Sequence, residues 1–310
     1  MSAVVNPFTG RWIMEPKPQN VWGIPHALWF TFMGVGGALF LDRALFGVEL
    51  GRVLGMPLAD LLSLLFIGVG GLILIADLGR PFRVLRALAN PRTSWISIGA
   101  ICDFIFMGLD GLWTLGELNL GGGPLFGAGW ASSPLSIAFQ VIAGAAALVV
   151  IVYPGLVLAF SPSIPFWNTT LIPLQFLAYA FSSAVGLALV STLWAPVGQA
   201  TLRGWLAVES GLLVVCLLLQ VAHLLNGSYS HTAARISVQR LLGGELQPAF
   251  VYGTLVLGLL APAALGLWGG LASTAGSAST ILAAAGLVAV VGNWFSKFSV
   301  IKAGTYAPFL

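Results

Sequence analysis

Read in windows of about 19 residues, the chain alternates eight apolar segments with shorter polar ones, near 25–46, 57–77, 95–116, 134–160, 169–194, 204–225, 249–268 and 278–300. At about 1.5 Å per residue each is long enough for a hydrocarbon layer of about 30 Å. In that layer an open chain satisfies its backbone donors and acceptors almost only as a helix, so the pattern predicts an all-α integral membrane protein with eight transmembrane helices. An even count puts both termini on one side. The spans divide the chain into 25–160, helices one to four with a basic loop at 78–94, and 161–310, helices five to eight with a short tail. Residues 1–24, with Trp12, Pro16, Pro18 and Trp22, lack the apolar core of a cleaved signal peptide and read as an interfacial lead-in. Gly34, Gly36, Gly37, Gly68, Gly70 and Gly71 are expected at close helix contacts.

Composition removes the soluble alternatives. Only 7% of residues are charged and 58% are hydrophobic, where a water-facing surface needs about 25% charge. The spans leave no room for an extramembrane catalytic domain. A net charge of +3 is too small to suggest nucleic acid. Cys102 and Cys216 stand singly inside apolar segments, which is no spacing for zinc or an iron–sulfur cluster, so no metal ligands are assigned to this chain.

Charge also carries orientation. Alternating the loops gives the terminal side Arg11, Lys17, Arg80, Arg83, Arg86, Arg92, Arg235, Arg240, Lys297 and Lys302, and the other side Arg43, Arg52 and Arg203. Positive charge favours the cytoplasm, so the count predicts cytoplasmic termini in a multi-pass cell-membrane (inner-membrane) protein. Arg80, Arg83 and Arg86 repeat every three residues after Asp77 and, with Arg92, form one basic edge. That edge suits either anionic lipid or a soluble partner.

Ionisable residues within spans are functional hypotheses by default. His26 opens the first span, Asp77 closes the second, Tyr153 lies in the last third of the fourth, and His223 near the end of the sixth, all toward one interface. A quinone needs hydrogen-bond partners for its carbonyl oxygens, groups that exchange protons, and an apolar slot for its tail. His, Tyr and Asp meet the first two needs, and Trp22, Trp29 and Trp167 are available to line a ring. A bis-histidine haem fits less well, since His26 and His223 have no second pair. Asp103, Asp110 and Glu117 recur every seven residues, about 10 Å apart along one helix face. With water between them they could carry protons, joined by Glu209 in the sixth span; otherwise Asp103 pairs with an interfacial arginine and Glu117 ends its helix.

The run Asp77-Leu-Gly-Arg80-Pro-Phe-Arg83, followed by Asn90-Pro-Arg92-Thr-Ser-Trp95, resembles the second-loop signature of the NrfD/polysulfide reductase membrane-subunit family. Tyr153-Pro-Gly-Leu-Val-Leu-Ala, Pro165-Phe-Trp167-Asn168, Leu171-Ile-Pro173-Leu and Trp22-Gly-Ile-Pro-His26 are similar to its other motifs. The resemblance implies a haem-free subunit, built as two four-helix bundles, that reacts with menaquinone or ubiquinone. It further implies a four-cluster ferredoxin-like iron–sulfur partner and a catalytic partner holding a molybdenum or tungsten bis-pterin. Carried over, Tyr153 matches the tyrosine that contacts quinone, Asp77 the acidic position beside it, and His26 the first-span segment that supplies ligands. Arg80, Trp167, Asn168 and His223 complete the expected ring site, Asp103, Asp110 and Glu209 the expected proton path, and Arg80, Arg83, Arg86 and Arg92 the expected docking edge. A secondary transporter, or an anchor whose quinone pocket no longer works, are the competing readings; a transporter would hold its polar groups at the midplane rather than at one interface.

Overall fold

The computed structural model describes residues 16–77, 88–271 and 275–307. Eight helices in it are long and apolar enough to cross a membrane: α1 (Ile24–Phe46), α2 (Leu58–Asp77), α3 (Trp95–Gly116), α4 (Pro134–Ala159), α5 (Leu171–Ser191), α6 (Gln199–Ser230), α8 (Pro248–Leu271) and α9 (Ala275–Ala303). A short amphipathic helix, α7 (Thr232–Leu242), follows α6. The first thirteen residues of α8, Pro248–Leu260, are wound as a π-helix.

Helix boundaries follow local chemistry. Pro25 and Pro134 occupy first-turn positions where the missing N–H costs nothing. Ser94 and Ser133 cap α3 and α4 by accepting from the amides of Ser97 and Ser136. Gly47 ends α1 at φ 69°, a conformation that glycine adopts without a Cβ clash.

The membrane pattern is inverted relative to a soluble core. Phe104 on α3, Val141 on α4, Leu218 on α6 and Leu267 on α8 are each at least 59% exposed and form an apolar perimeter that lipid would cover. Inside, α1 and α5 are the central helices: 72% and 78% of their apolar windows are buried, against 22% for α3 and α6. Helix α1 packs on α2, α4, α5 and α9, α3 packs on α4, and α9 packs on α5 and α8. Close approach explains the glycines of α1. A Cβ on Gly36 would stand 2.8 Å from Ile67 of α2, and one on Gly37 2.7 Å from Ile151 of α4.

Both described ends meet at one end of the bundle. Lys17–Pro18 (β1) pairs antiparallel with Thr305–Tyr306 (β4), and Gln19 donates to the carbonyl of Ile301 at 3.0 Å. At the opposite end, a hairpin of Arg52–Val53 (β2) and Met56–Pro57 (β3) joins α1 to α2.

Two charges expected at boundaries lie inside the bundle. Arg43 is buried: its Nε donates to Asp60 at 2.9 Å, its NH1 donates to Gln140 at 2.9 Å, and its guanidinium lies 4.2 Å from the centre of the Trp113 ring. Lys297 is 1% exposed and donates to Asn293. Each stands within a few residues of a span end, so it reads as a loop charge until tertiary packing encloses it. Without them, and among the described residues, the terminal side keeps Lys17, Arg92, Arg235, Arg240 and Lys302, and the other side Arg52 and Arg203. Arg11, Arg80, Arg83 and Arg86 lie outside the described residues; Arg92 is exposed at the terminal end.

Candidate functional site

Four helices contribute to one polar cluster at the end where the termini meet. The first turn of α1 presents His26, whose Nε2 lies 3.3 Å from the Asp77 carboxylate at the last residue of α2. Trp22 stacks on the His26 ring, with centroids 4.8 Å apart and planes 20° apart. One turn deeper, Trp29 lies 6.4 Å from His26 and 6.0 Å from Tyr153 of α4. The Tyr153 hydroxyl donates to Asp103 of α3 at 3.3 Å. From the exposed Asp77 inward, the sequence is carboxylate, imidazole, indole, phenol, carboxylate.

Two positions of small volume permit this arrangement. A Cβ on Gly99 of α3 would sit 2.3 Å from the Tyr153 ring, so the phenol occupies space that any other residue would fill. Pro154 lies inside α4 beside the tyrosine, and a Cβ on Gly155 would stand 2.6 Å from Cα of Pro173, so α4 and α5 touch backbone to backbone there. Trp22 is held by Gln19, which accepts from the Trp22 amide at 2.9 Å and donates to its carbonyl at 2.8 Å.

Among the described residues, His26 Nδ1, Trp29 Nε1 and Asp103 Oδ1 are buried with no hydrogen-bond partner. An unpaired buried polar atom costs about 1–3 kcal/mol, so three of them in one cluster favour a polar guest that pairs with them. The walls are aromatic and the polar atoms few, which suits a planar ring bearing two oxygens.

The other predicted residues fall elsewhere. His223 is fully buried and stacks on Phe166 at 4.4 Å. Its Nε2 lies 2.9 Å from the Phe166 carbonyl and its Nδ1 3.3 Å from Gln175 Oε1, so neither nitrogen faces the cluster or is free for iron. Trp167 comes within 5.8 Å of Trp22 and donates its indole N–H to the Val300 carbonyl, which makes it a backing wall. Asn168 donates to the Ala159 carbonyl and caps the end of α4. Asp103 pairs with a tyrosine rather than an arginine. Glu117 caps α3 and lies 3.5 Å from Arg52. Asp110 is buried between these two, with neither carboxylate oxygen hydrogen-bonded, in the neighbourhood of Asp60 and Arg43. Glu209 accepts from Ser182 at 2.8 Å in the other half of the bundle. Among the described residues no three His, Cys, Asp or Glu side chains converge as metal ligands.

In the sequence Trp29 is only one of several rings available to the site, and neither Gly99 nor the Tyr153–Asp103 pairing stands out. A signal existed for the last: Asp103 is an acid well inside an apolar segment, which requires a partner within the bundle.

The family profile described as "Polysulphide reductase, NrfD" matches residues 12–308. The chain belongs to this family. Comparison with curated protein sequences gave no match. The NrfD proteins are multi-pass membrane subunits of respiratory oxidoreductase complexes and are generally associated with iron–sulfur and molybdopterin subunits. The His26–Tyr153 cluster lies wholly within the NrfD match.

At the opposite end of this NrfD chain, outside the spans, Glu49 is bonded twice by Arg52, at 2.6 and 2.7 Å. Those bonds hold the Glu49 carboxyl below the usual glutamate range and raise the guanidinium in turn.

Proposed function

We propose that this NrfD subunit exchanges electrons between the membrane quinone pool and an iron–sulfur partner of a molybdopterin-type enzyme, at the cluster formed by His26, Asp77, Trp29, Tyr153 and Asp103. The observation that carries this reading is the convergence of four proton-exchanging side chains from four helices, two of them with unpaired buried atoms, behind an aromatic wall. A bound quinone supplies a ring that accepts or releases two electrons with two protons. His26 and Tyr153 are the groups that would hold its oxygens. Asp77, partly exposed and 3.3 Å from His26, relays a proton between the imidazole and water. Asp103 serves the Tyr153 hydroxyl in the same way, and Asp110, one face-repeat further along α3, extends that route inward.

Electron exit is assigned to the same end. NrfD subunits generally associate with iron–sulfur and molybdopterin subunits, so the electrons are assigned to a cofactor on such a polypeptide close to the ring. The basic edge of Arg80, Arg83, Arg86 and Arg92, next to Asp77 in the chain, is the proposed docking surface, with the cytoplasm as its proposed side.

In the purified complex, Tyr153→Phe and Asp77→Asn are expected to lower quinol-driven turnover by about 100-fold or more, while artificial dyes still drive the catalytic partner at the wild-type rate. Normal quinol activity in both variants overturns the assignment.

A further inference from the structure

The C-terminal half buries ionisable groups that the ring site does not use. Lys297 of α9 is enclosed by Phe176, whose ring centre lies 5.2 Å from its Nζ, and by Gly34 of α1, and it donates a hydrogen bond to Asn293 Oδ1. Among the described residues no ion pair forms on it. Asn293 Nδ2 donates to Ser183 at 2.8 Å and Ser183 donates in turn to the Tyr179 carbonyl; the preceding residue of α5, Ser182, donates to Glu209 Oε1 at 2.8 Å, so the step between the two hydroxyls falls to water. Cys216, on the same helix as Glu209, is buried and within electrostatic reach of both Glu209 and Lys297.

The far end of this track approaches the other membrane face. Glu209 is the eleventh residue of α6, about 15 Å in from its first residue, whereas Lys297 is about 9 Å from the last residue of α9 at the terminal end. Glu209 borders a cavity of about 10 Å³, room for one water. It also lies within electrostatic reach of Asp42. Asp42 stands in the wall of an apolar groove of about 480 Å³ that lies between the end of α1 and the start of α6. Glu209 Oε2, Asp42 Oδ2, both amide atoms of Gln220 and the Thr254 hydroxyl are buried without a protein partner. A lipid-facing bundle retains so many unpaired polar atoms only where water or a mobile proton satisfies them.

We propose that this track is a second proton path, separate from the Asp103–Asp110 stripe: protons enter beside Asp42, pass through Glu209, the serine hydroxyls and water, and load Lys297 from the side opposite the ring site. In the elementary step the Glu209 carboxyl O–H breaks and an N–H forms on the neutral Lys297 amine by way of the Ser182 and Ser183 hydroxyls and water, while Asn293 accepts from Lys297 and holds the amine in place. Glu209 is then reprotonated from the Asp42 groove, and no electrons move. Lys297 stands two aromatic rings from the ring site: Phe176 lies 5.5 Å from Phe30, and Phe30 5.8 Å from Trp22. Its positive charge therefore compensates electrons arriving there. The inference rests on the quinone reading for that last coupling only.

The whole complex in liposomes, with quinol as donor, tests it. Protons moved across the membrane per quinol are measured with a pH dye, and the carboxylic-acid infrared band is recorded in parallel without quinol. Glu209→Gln and Lys297→Met are expected to lower the proton yield by about half or more with quinol binding unchanged. Glu209→Gln removes an infrared band that Lys297→Met shifts. Should Lys297→Met fail to assemble, Ser182→Ala, which keeps both ionisable groups, is expected to lower the yield in the same direction. Unchanged yield in Glu209→Gln and Ser182→Ala, an infrared band unmoved by Lys297→Met, or a wild-type complex that turns over quinol without moving protons, each overturns the path and leaves the quinone reading standing. A wild-type complex that binds no quinol overturns that reading instead, while the infrared coupling still decides the path.

Discussion

The regions around His26 and His223 each hold a histidine stacked on an aromatic ring. Around His223 one ring nitrogen lies 2.9 Å from the Phe166 carbonyl, the other packs 3.3 Å from Gln175 Oε1, and the group is sealed under the Phe166 ring. Around His26 one nitrogen faces a partly exposed carboxylate and the other has no partner. A buried polar group satisfied by its own fold stabilises; one left open can exchange protons or hold a ligand. The difference is produced by the neighbours. His223 has a main-chain carbonyl and a glutamine, groups that do not titrate, whereas His26 has Asp77 and a path of indole and phenol to Asp103.

That contrast can be broken most severely by exchanging the consequences of the two histidines. His26→Ala is expected to lower quinol-driven activity by about 10²–10⁴-fold with little change in thermal stability. His223→Ala is expected to cost about 2–4 kcal/mol of stability, through lost packing and an unpaired Phe166 carbonyl, with activity per folded complex nearly intact. Activity and melting measurements on both purified variants decide it; the reverse pattern would overturn the contrast. A smaller effect sharpens it: Gly99→Ala forces the Tyr153 ring to shift, so about 1–3 kcal/mol is lost, and the Michaelis constant for quinol rises more than turnover falls.

The smallest effect lies outside the membrane. Because Arg52 holds the Glu49 carboxyl below its ordinary range, the stability this pair contributes is present above the unfolded value and lost as pH falls below the usual glutamate range through the lower folded one. Both side chains are more than a third exposed, so Arg52→Ala is expected to cost no more than about 1 kcal/mol at neutral pH and to remove that pH dependence. Melting curves across this range check both statements.

The spans were legible in the sequence because hydrocarbon imposes one solution on a long apolar segment. Boundaries agree to within a few residues except at α6, which runs to Ser230 where the apolar segment stops near 225. Helix α7 was not anticipated, since its polar face dilutes the hydropathy that revealed the others. Of the ring cluster, His26, Asp77 and Tyr153 were visible because polar residues are conspicuous among apolar ones. Arg43 and Lys297 were just as conspicuous, but position along a span does not tell which way a helix turns its face. What could not be read was pairing: that Asp103 meets Tyr153, that Gly99 leaves room for it, and that His223 finds its own partners are facts of helix rotation and register.

The small clasp at the terminal end has a consequence for biosynthesis. Trp22, which covers His26, is fixed by Gln19, and Gln19 is anchored to the Ile301 and Gly304 carbonyls near the end of the chain. A ribosome delivers α1 to the bilayer first and α9 last. The aromatic cover over the first helix therefore takes its final position only after the last helix has been inserted, so a nascent or C-terminally truncated chain carries its histidine and tyrosine without a finished ring site.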